Sequence, residues 1–371
     1  MNERQQQQHD FDKSQRPLIV GDANQCPLPP SELSNIDRDS HYVVKTIDSG
    51  LTAEIFHLVI DGKDYTLKKR REQAKVKNLD GKYSFLNEVL CRQRFESLKS
   101  DPNTAPFFEN IISTIYADYR LGIILSPWID GTHIQRLDAQ LIRQLFTTLE
   151  AIERQGIMEW DLCGGNLLVD SNDKVWLFDF GYMYPFNPLT EFNSNGLSDP
   201  IFHFVERFET RFFFGWLLEN KLDTEEQLAL YKMLKEQGVE SYQTKLEWLT
   251  THSAKPEIIE HFSSIITKWK SALACNQALQ LQFTLDAFRS HVLDIEDDLH
   301  GQSCTPTTLK RIRFVYQELE SNFEILEKTG QLFYANAGLS QSKLLTLYKE
   351  KYQQALDFQV KVKPSGPYIR R

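Results

Sequence analysis

Residues 161–181, DLCGGNLLVDSNDKVWLFDFG, contain the pattern that decides the fold. Asp161 is followed five residues later by Asn166, and Asp179 follows after two short apolar runs that a polar turn separates. Apolar runs on either side of such a turn predict a β-hairpin. The hairpin would carry Asn166 at one end and Asp179 at the other, so that both could face one metal site.

Two carboxylates and an amide in this order supply what phosphoryl transfer requires of a protein. One carboxylate orients an attacking hydroxyl or accepts its proton. An amide oxygen and a second carboxylate can hold Mg²⁺, which neutralises the charge of the phosphate oxygens. Asp-Phe-Gly alone could be an ordinary turn, and an Asp/Asn pair an ordinary loop. Both together, joined by an apolar hairpin, favour a site for this chemistry.

The segment resembles the catalytic loop and the metal-binding Asp-Phe-Gly motif of the protein-kinase superfamily. This resemblance implies that Asp161 is the catalytic aspartate and that Asn166 and Asp179 are ligands of Mg²⁺. It also implies that ATP is the phosphate donor. The fold implied is α+β and bilobal, with a small β-rich N-lobe and a helical C-lobe.

The N-terminal half contains a second likeness to the same superfamily. Residues 47–56, IDSGLTAEIF, are similar to the kinase glycine-rich loop, although only Gly50 keeps a glycine. Asp48 and Ala53 stand where the family has the other two. Because glycine lets backbone N–H groups approach phosphates, the resemblance implies that Gly50 binds ATP.

A β-hairpin is predicted directly after this loop. Residues 55–60 and 65–68 are rich in apolar and β-branched side chains, and the Asp61-Gly62 pair between them is a tight-turn signal. The second strand resembles the kinase strand that carries the ATP-binding lysine. The resemblance implies that Lys68 contacts the α- and β-phosphates of ATP.

The partner of this lysine in the family is a glutamate on the next helix. Apolar residues at near-helical spacing predict a helix at 83–97, and Glu88 on it is the expected partner of Lys68. Lys69 and Glu96 are the alternative pair. A single Lys or Glu is most often a solvated side chain, so the order of strand, lysine, helix and glutamate is what favours the site.

The segment 123–132, IILSPWIDGT, resembles the hinge that links the two lobes of a kinase. The resemblance implies that adenine binds here through the backbone of Ser126, Pro127 and Ile129. Pro127 has no N–H but keeps its carbonyl, and Ile129 would donate the second hydrogen bond. A buried strand followed by a turn is a compatible reading of the same residues.

Three features depart from the family pattern. Glu159-Trp160 stand where the family usually has His-Arg, and Cys163 stands where Ser/Thr kinases have a lysine. No Ala-Pro-Glu triplet follows Asp179, which puts docking of a peptide substrate in doubt. The sequence therefore indicates a divergent member, either of a bacterial type or a small-molecule kinase. The acceptor hydroxyl would belong to a protein serine or threonine, slightly favoured, or to a small molecule.

Two other functions remain open. A pseudokinase would use the same fold as a nucleotide-binding scaffold, and the altered glycine loop favours this alternative. An atypical kinase fold would transfer AMP instead of phosphate. Asp161, Asn166 and Asp179 are all present, which favours an active enzyme.

Composition and net charge limit the expected partners and location of the protein. The chain has 371 residues and a formal net charge of -9, which makes nucleic acid an unexpected partner, because phosphate contacts need a basic surface. Its five cysteines form no paired motif, as expected in a reducing compartment. No apolar run is long enough for a membrane span. A cytoplasmic location is predicted, although export by a route independent of a signal peptide stays open.

The chain is predicted to have three parts. Residues 1–40 are rich in Gln and charge and are expected to form a flexible arm. A kinase-like domain would span 41–250, with its N-lobe at about 41–129 and its C-lobe at about 130–250. Residues 251–371 are expected to form a helical extension, which includes one amphipathic helix at 306–329 that ends at Gly330.

Overall fold

The computed structural model describes residues 3–47, 50, 52–73, 75 and 79–360 of the chain. Its secondary structure confirms the mixed α+β class, with most strands in the N-terminal third and mainly helices in the second half. The chain divides into two compact units. The first contains the residues up to Gly131 together with Trp176–Met183, and the second contains Thr132–Val175 and Tyr184–Gln359.

One antiparallel sheet organises the first unit. Its strands are β1 Ile19–Gly21, β2 Val43–Ile47, β3 Ala53–Ile60, β4 Lys63–Arg70, β5 Tyr116–Asp118 and β6 Ile123–Pro127. Their order in the sheet is β1-β5-β6-β4-β3-β2. The predicted Asp-Gly turn joins β3 to β4, and Asp61 and Gly62 both have positive φ (50° and 74°), as a type I′ turn requires. β4 therefore lies in the interior of the sheet, between β3 and β6.

Helices cover both faces of this sheet. They are α1 Glu3–Lys13, α2 Pro30–Asn35 and α3 Leu79–Ser100, with 3₁₀ turns at Ala23–Gln25 and Ala105–Phe108. Val89 of α3 shares a buried cluster with Ile124 of β6. Leu33 of α2 shares another cluster with Ile123 and Leu125, the neighbours of Ile124 on the same strand. Because successive side chains of a strand point to opposite faces, α2 and α3 cover opposite faces of the sheet.

The N-terminal segment differs from the flexible arm predicted for residues 1–40. Arg4 of α1 forms an ion pair with Asp80 of α3 at 3.0 Å, and β1 pairs with β5. Leu18 and Val20 are buried in the cluster that α3 shares with the sheet. Composition rich in Gln and charge favours disorder, but here a few apolar side chains around β1 are enough to dock the segment.

Helices make up most of the second unit. They are α4 Ala139–Arg154, α5 Phe204–Phe208, α6 Phe214–Glu219, α7 Thr224–Thr251, α8 Pro256–Leu273, α9 Asn276–Gly301, α10 Pro306–Ser321, α11 Phe323–Lys328 and α12 Gln341–Asp357. A π-helical turn, Glu209–Phe213, joins α5 to α6, and 3₁₀ turns lie at Gly164–Asn166 and Tyr334–Asn336. Short strands lie along residues 131–185, at β7 Gly131–Thr132, β8 Ile157–Glu159, β9 Leu167–Asp170, β10 Val175–Leu177 and β11 Met183–Pro185. Within the described ranges, none of the helices is long and apolar enough to cross a membrane.

The helix predicted at 306–329 is present with one interruption. α10 ends before Asn322 and α11 begins after it, because Asn322 is not helical (φ -128°, ψ 18°). Gly330 follows α11 with a φ of 71°. The apolar stripe that predicted the helix is buried in one cluster with residues of α9 and α12, and its buried members are Ile312, Val315, Leu319 and Leu326.

The second unit continues through the boundary predicted at residue 250. α7 ends at Thr251 and packs against both α8 and α9. The helices predicted as an extension therefore belong to the same unit as the residues from Thr132 onward. The apolar faces of α8 and α9 supply the physical reason, since they bury residues such as Phe262 and Phe288.

Candidate functional site

Lys68 lies at the centre of a buried charge network in the first unit. On β4 it is paired with Ile55 on one side and with Ile124 on the other. Its ammonium binds Glu88 Oε2 at 2.5 Å and Asp179 Oδ2 at 2.9 Å. The side chain of Lys68 is 9% exposed, and that of Glu88 is 1% exposed. The structure thus brings Lys68, Glu88 and Asp179 together, although they are far apart in sequence.

The alternative pair, Lys69 and Glu96, is not brought together. Successive residues of a strand point to opposite faces, and the Lys69 ammonium donates to the carbonyl of Ile36. Glu96 accepts a hydrogen bond from the backbone N–H of Thr114 at 2.7 Å. The strand alternation therefore gives the two lysines different directions and different partners.

Arg92 completes the network by holding Glu88 from the same helix. Its Nε and Nη2 donate to Glu88 Oε1 at 3.1 and 3.0 Å. Its Nη1 donates to the hydroxyls of Thr114 and Ser126 at 3.1 and 3.0 Å. Two cations and two carboxylates are therefore balanced here. Removing one member would leave a buried charge unpaired, which is strongly destabilising.

The pKa values show that the central pair is ionised. Burial alone would lower the pKa of Lys68, but the carboxylates of Asp179 and Glu88 raise it above its ordinary value. Burial alone would raise the pKa of Asp179, but the Lys68 ammonium lowers it below its ordinary value. Each group favours the charged form of the other.

Asp179 has an unusual backbone conformation. Its φ is 68°, in the left-handed region that residues other than glycine rarely adopt. Two residues later, a Cβ added to Gly181 would lie 3.1 Å from the Cβ of Ser84 on α3. The glycine of the Asp-Phe-Gly triplet thus allows a close approach to the helix. Strain of this kind persists where the surrounding structure enforces it, often at functional positions.

Asn87 holds this triplet against α3. Its side-chain Nδ2 donates to the carbonyls of Phe180, Gly181 and Met183, at 3.3, 3.1 and 2.5 Å. The Phe180 ring is fully buried and packs edge-on against Phe95, with 4.9 Å between ring centroids. One side chain of α3 therefore fixes the backbone that carries Asp179.

The predicted glycine loop lies partly outside the described residues, which leave out residues 48, 49 and 51. Gly50 is described, and its carbonyl accepts a hydrogen bond from Arg71 Nε at 3.1 Å. A Cβ on Gly50 would lie 2.4 Å from the carbonyl oxygen of Ala53. Only glycine fits at this position.

The predicted adenine-binding residues are the last two residues of β6, Ser126 and Pro127, and Ile129 just after it. β5 pairs with β6 only as far as Tyr116 with Leu125, so within the described residues no strand pairs with Ser126 or Pro127 on that side. The Ser126 hydroxyl accepts a hydrogen bond from Arg92, and the exposed Pro127 is the last residue of the strand. The carbonyl of Ile129, which is partly buried, accepts the N–H of Gly131 at 3.0 Å.

The predicted catalytic residue, Asp161, and the predicted metal ligand Asn166 lie in the second unit, just after β8. The Asp161 backbone N–H donates to Glu159 Oε1 at 2.5 Å, and Asn166 Nδ2 donates to the Asp161 carbonyl at 2.8 Å. The structure thus ties Asn166 to Asp161 directly. Because the amide nitrogen of Asn166 is used in this way, its amide oxygen is the atom suited to a cation.

An arginine that sequence reasoning missed holds the Asp161 carboxylate. Arg211 lies on the π-helical turn and binds Asp161 Oδ1 through Nε and Nη2. Its Nη1 binds Asp294, and Arg311 binds the other oxygen of Asp294 at 2.8 Å. Although burial alone would lower it, the carboxylates of Asp294 and Asp161 hold the pKa of Arg211 well above its ordinary value.

Asn87 and Arg92 were also missed, and a sequence signal existed only for Arg92. Arg92 follows Glu88 by four residues, a spacing that brings opposite charges together on a helix. Asn87 precedes Glu88 directly, but nothing local indicates that its amide reaches the Asp-Phe-Gly backbone. Arg211 is 50 residues from Asp161, so local spacing could not reveal their contact.

Among the described residues, no three His, Cys, Asp or Glu side chains converge as a metal site. Mg²⁺ commonly takes one or two protein ligands and completes its shell with water and substrate phosphates. Asp179, in the first unit, and Asn166, in the second, each carry an oxygen of the kind that Mg²⁺ takes as a protein ligand.

The chain matches no protein-family model, and no curated protein matches it. Its function has to be argued from the residues and their geometry.

Proposed function

We propose that this protein is an ATP- and Mg²⁺-dependent phosphotransferase with a kinase-like fold, which transfers the γ-phosphate of ATP to a hydroxyl group. The observation that carries the proposal is the contact of Lys68 with both Glu88 and Asp179. A lysine on a central strand, a glutamate on the following helix and the aspartate of Asp-Phe-Gly are the three charged groups that kinases assemble.

The residues of the first unit suit the phosphates of ATP. Lys68 would exchange its bond to Asp179 for bonds to phosphate oxygens, while Glu88 and Arg92 keep its ammonium in place. The Asp179 carboxylate, freed by this exchange, would be a ligand of Mg²⁺, the role that the resemblance to kinases also gives to Asn166. The cation supplies neutralisation of charge on the phosphate oxygens.

The residues of the second unit suit the acceptor. Arg211 occupies Oδ1 of Asp161, which leaves Oδ2 as the oxygen that can accept the proton of a hydroxyl. Asn166 fixes the backbone at Asp161 through its bond to the carbonyl. A general base placed in this way typically contributes about 10²–10⁴-fold in rate. The acceptor is proposed to be a protein serine or threonine, or a small-molecule alcohol.

A scaffold without catalysis is the second candidate. Two observations favour it: Lys68 binds Asp179 directly, and Arg211 occupies part of the Asp161 carboxylate. A pseudokinase could keep both contacts permanently, because it needs no exchange of partners.

Calorimetric titration with ATP and an assay of ATP turnover distinguish the active enzyme from the scaffold. The enzyme should bind ATP only with Mg²⁺ and hydrolyse it slowly, while Asp161→Asn keeps the binding and loses the turnover. Mass spectrometry of the products distinguishes a transferred phosphoryl group from a transferred nucleotidyl group. Binding of MgATP by the wild type with no turnover under any acceptor would favour the scaffold. Absence of any ATP binding would refute both.

A further inference from the structure

A cavity of about 190 Å³ lies within the helical unit. It is lined by side chains of the loop before α5, the π-helical turn, α7, α8 and α9. Ile201, Ile265 and Trp269 supply an apolar part of its wall. None of the residues that line it belongs to the proposed phosphotransferase site.

Four charged side chains form a closed ring at the cavity. Lys235 binds Glu209 and also Asp286, the latter at 2.8 Å. Arg289 binds the same two carboxylates, Glu209 at 2.8 Å and Asp286 at 2.7 Å. Lys235, Glu209 and Asp286 are each at most 2% exposed. With two charges of each sign, the ring is neutral and has no uncompensated negative charge.

The wall also carries donors that the ring does not use. Lys268 adds a positive charge, and in the described chain no carboxylate lies within ion-pair distance of its ammonium. Arg289 Nε is buried and donates no hydrogen bond to any described residue. A buried donor left without an acceptor is costly. Arg289 Nε therefore calls for an acceptor that no described residue supplies, while the exposed Lys268 adds a cation at the mouth of the cavity.

The histidines of the wall add no positive charge near pH 7. Burial and nearby cations hold the pKa of His203 well below its ordinary value, and burial lowers the pKa of His261 to about 4. Both rings are therefore neutral near pH 7. Nδ1 of His203 accepts the N–H of Glu206 at 3.2 Å, so its proton lies on Nε2. His203 is thus a further donor.

We propose that this cavity binds the oxyanion of a small organic molecule, a carboxylate or a phosphate group, with Lys268 and Arg289 as its principal partners. One uncompensated positive charge and a buried donor without an acceptor match one anionic group. A cavity of about 150 Å³ accommodates benzene, so this one has room for a slightly larger ligand. Trp269 and Ile265 offer apolar contact to the rest of the molecule.

Lys268 provides the test, because it lies at the open side of the cavity, where its substitution should not disturb folding. Lys268→Gln is compared with Lys270→Gln, which removes the same charge from an exposed position on the same helix. Affinity for benzoate and for inorganic phosphate is measured by calorimetry on the full-length protein, with benzyl alcohol as the uncharged control.

The wild type and Lys270→Gln should bind at least one anion, and Lys268→Gln should bind it about ten-fold more weakly or worse, as expected for the loss of a charged hydrogen-bond donor. Binding of benzoate alone assigns the site to carboxylates, and binding of phosphate alone assigns it to phosphate groups. The proposal is overturned if the wild type binds neither anion, if both lysine variants lose affinity equally, or if benzyl alcohol binds as well as benzoate.

Discussion

The guanidinium of Arg211 holds Oδ1 of Asp161 with two nitrogens, Nε at 2.9 Å and Nη2 at 2.8 Å. Arg211 is in turn bound by Asp294, which Arg311 holds from α10. The orientation of Asp161 therefore depends on helices α9 and α10, which lie more than 100 residues further along the chain. Residues predicted as an extension thus support the proposed catalytic aspartate.

Arg211→Lys should lower the rate of ATP turnover without weakening ATP binding. Lysine keeps the charge but lacks the planar fork that grips a carboxylate oxygen with two nitrogens. A misplacement of about 1 Å at a catalytic group can cost about 10²-fold in rate, and a loss of this order is expected in kcat. The control is Arg143→Lys, on the exposed side of α4. An unchanged kcat in Arg211→Lys would show that Arg211 does not position Asp161.

Lys68→Ala should weaken the binding of MgATP, whereas Lys69→Ala should not. Lys68 lies in the network with Glu88 and Asp179, while the ammonium of Lys69 reaches the Ile36 carbonyl. Calorimetric titration of both variants with ATP and Mg²⁺ measures the difference. The reverse result, with Lys69→Ala defective and Lys68→Ala normal, would contradict the assignment of the phosphate-binding lysine.

The resemblance to kinases selected Lys68 and Glu88, and local rules for strands and helices support that selection. The Asp-Gly turn fixed the register of β3 and β4, and strand alternation then separated Lys68 from Lys69. A helix after the strand was predicted from its apolar spacing, which placed Glu88 within reach. Each step needed only residues that are close in sequence.

Long-range contacts account for what the sequence did not reveal. The bond between Arg211 and Asp161 and the ring around Lys235 join helices that are distant along the chain. No spacing rule predicts which arginine of a helical unit meets which carboxylate. The docked N-terminal segment was missed for a related reason, since composition averages over the few apolar residues, such as Leu18 and Val20, that are buried.

Asn87→Ala should destabilise the protein and weaken MgATP binding together. The substitution removes the donor shared by the carbonyls of Phe180, Gly181 and Met183. Leaving buried polar groups unsatisfied costs about 1–3 kcal/mol, and the backbone that carries Asp179 loses its anchor. Chemical denaturation measures the first effect and calorimetry the second. Asn35→Ala, at an exposed position of α2, is the control and should change neither. Lower stability with unchanged MgATP affinity would show that Asn87 is a structural residue only.

Stability should fall as pH rises from about 4 to 7 because of Asp298. Burial, together with the negative charge of Asp294, raises the pKa of Asp298 to about 7 in the folded protein. In the unfolded chain an aspartate ionises near pH 4, so over this interval the folded state binds more protons than the unfolded state. The free energy of unfolding therefore decreases with rising pH through the interval and is constant with respect to this group above it.

Asp298→Asn imitates the protonated carboxyl and should remove this contribution. The variant should match the wild type near pH 4 and be more stable at pH 8, by roughly 1–4 kcal/mol, since one pKa unit corresponds to about 1.4 kcal/mol. Chemical denaturation at a series of pH values measures the difference. Asp357→Asn, at the exposed end of α12, should run parallel to the wild type throughout. If the stabilities of the wild type and of Asp298→Asn stay parallel from pH 4 to pH 8, Asp298 is ionised over the whole range. The charges of Arg211 and Arg311 would then outweigh the effect of its burial.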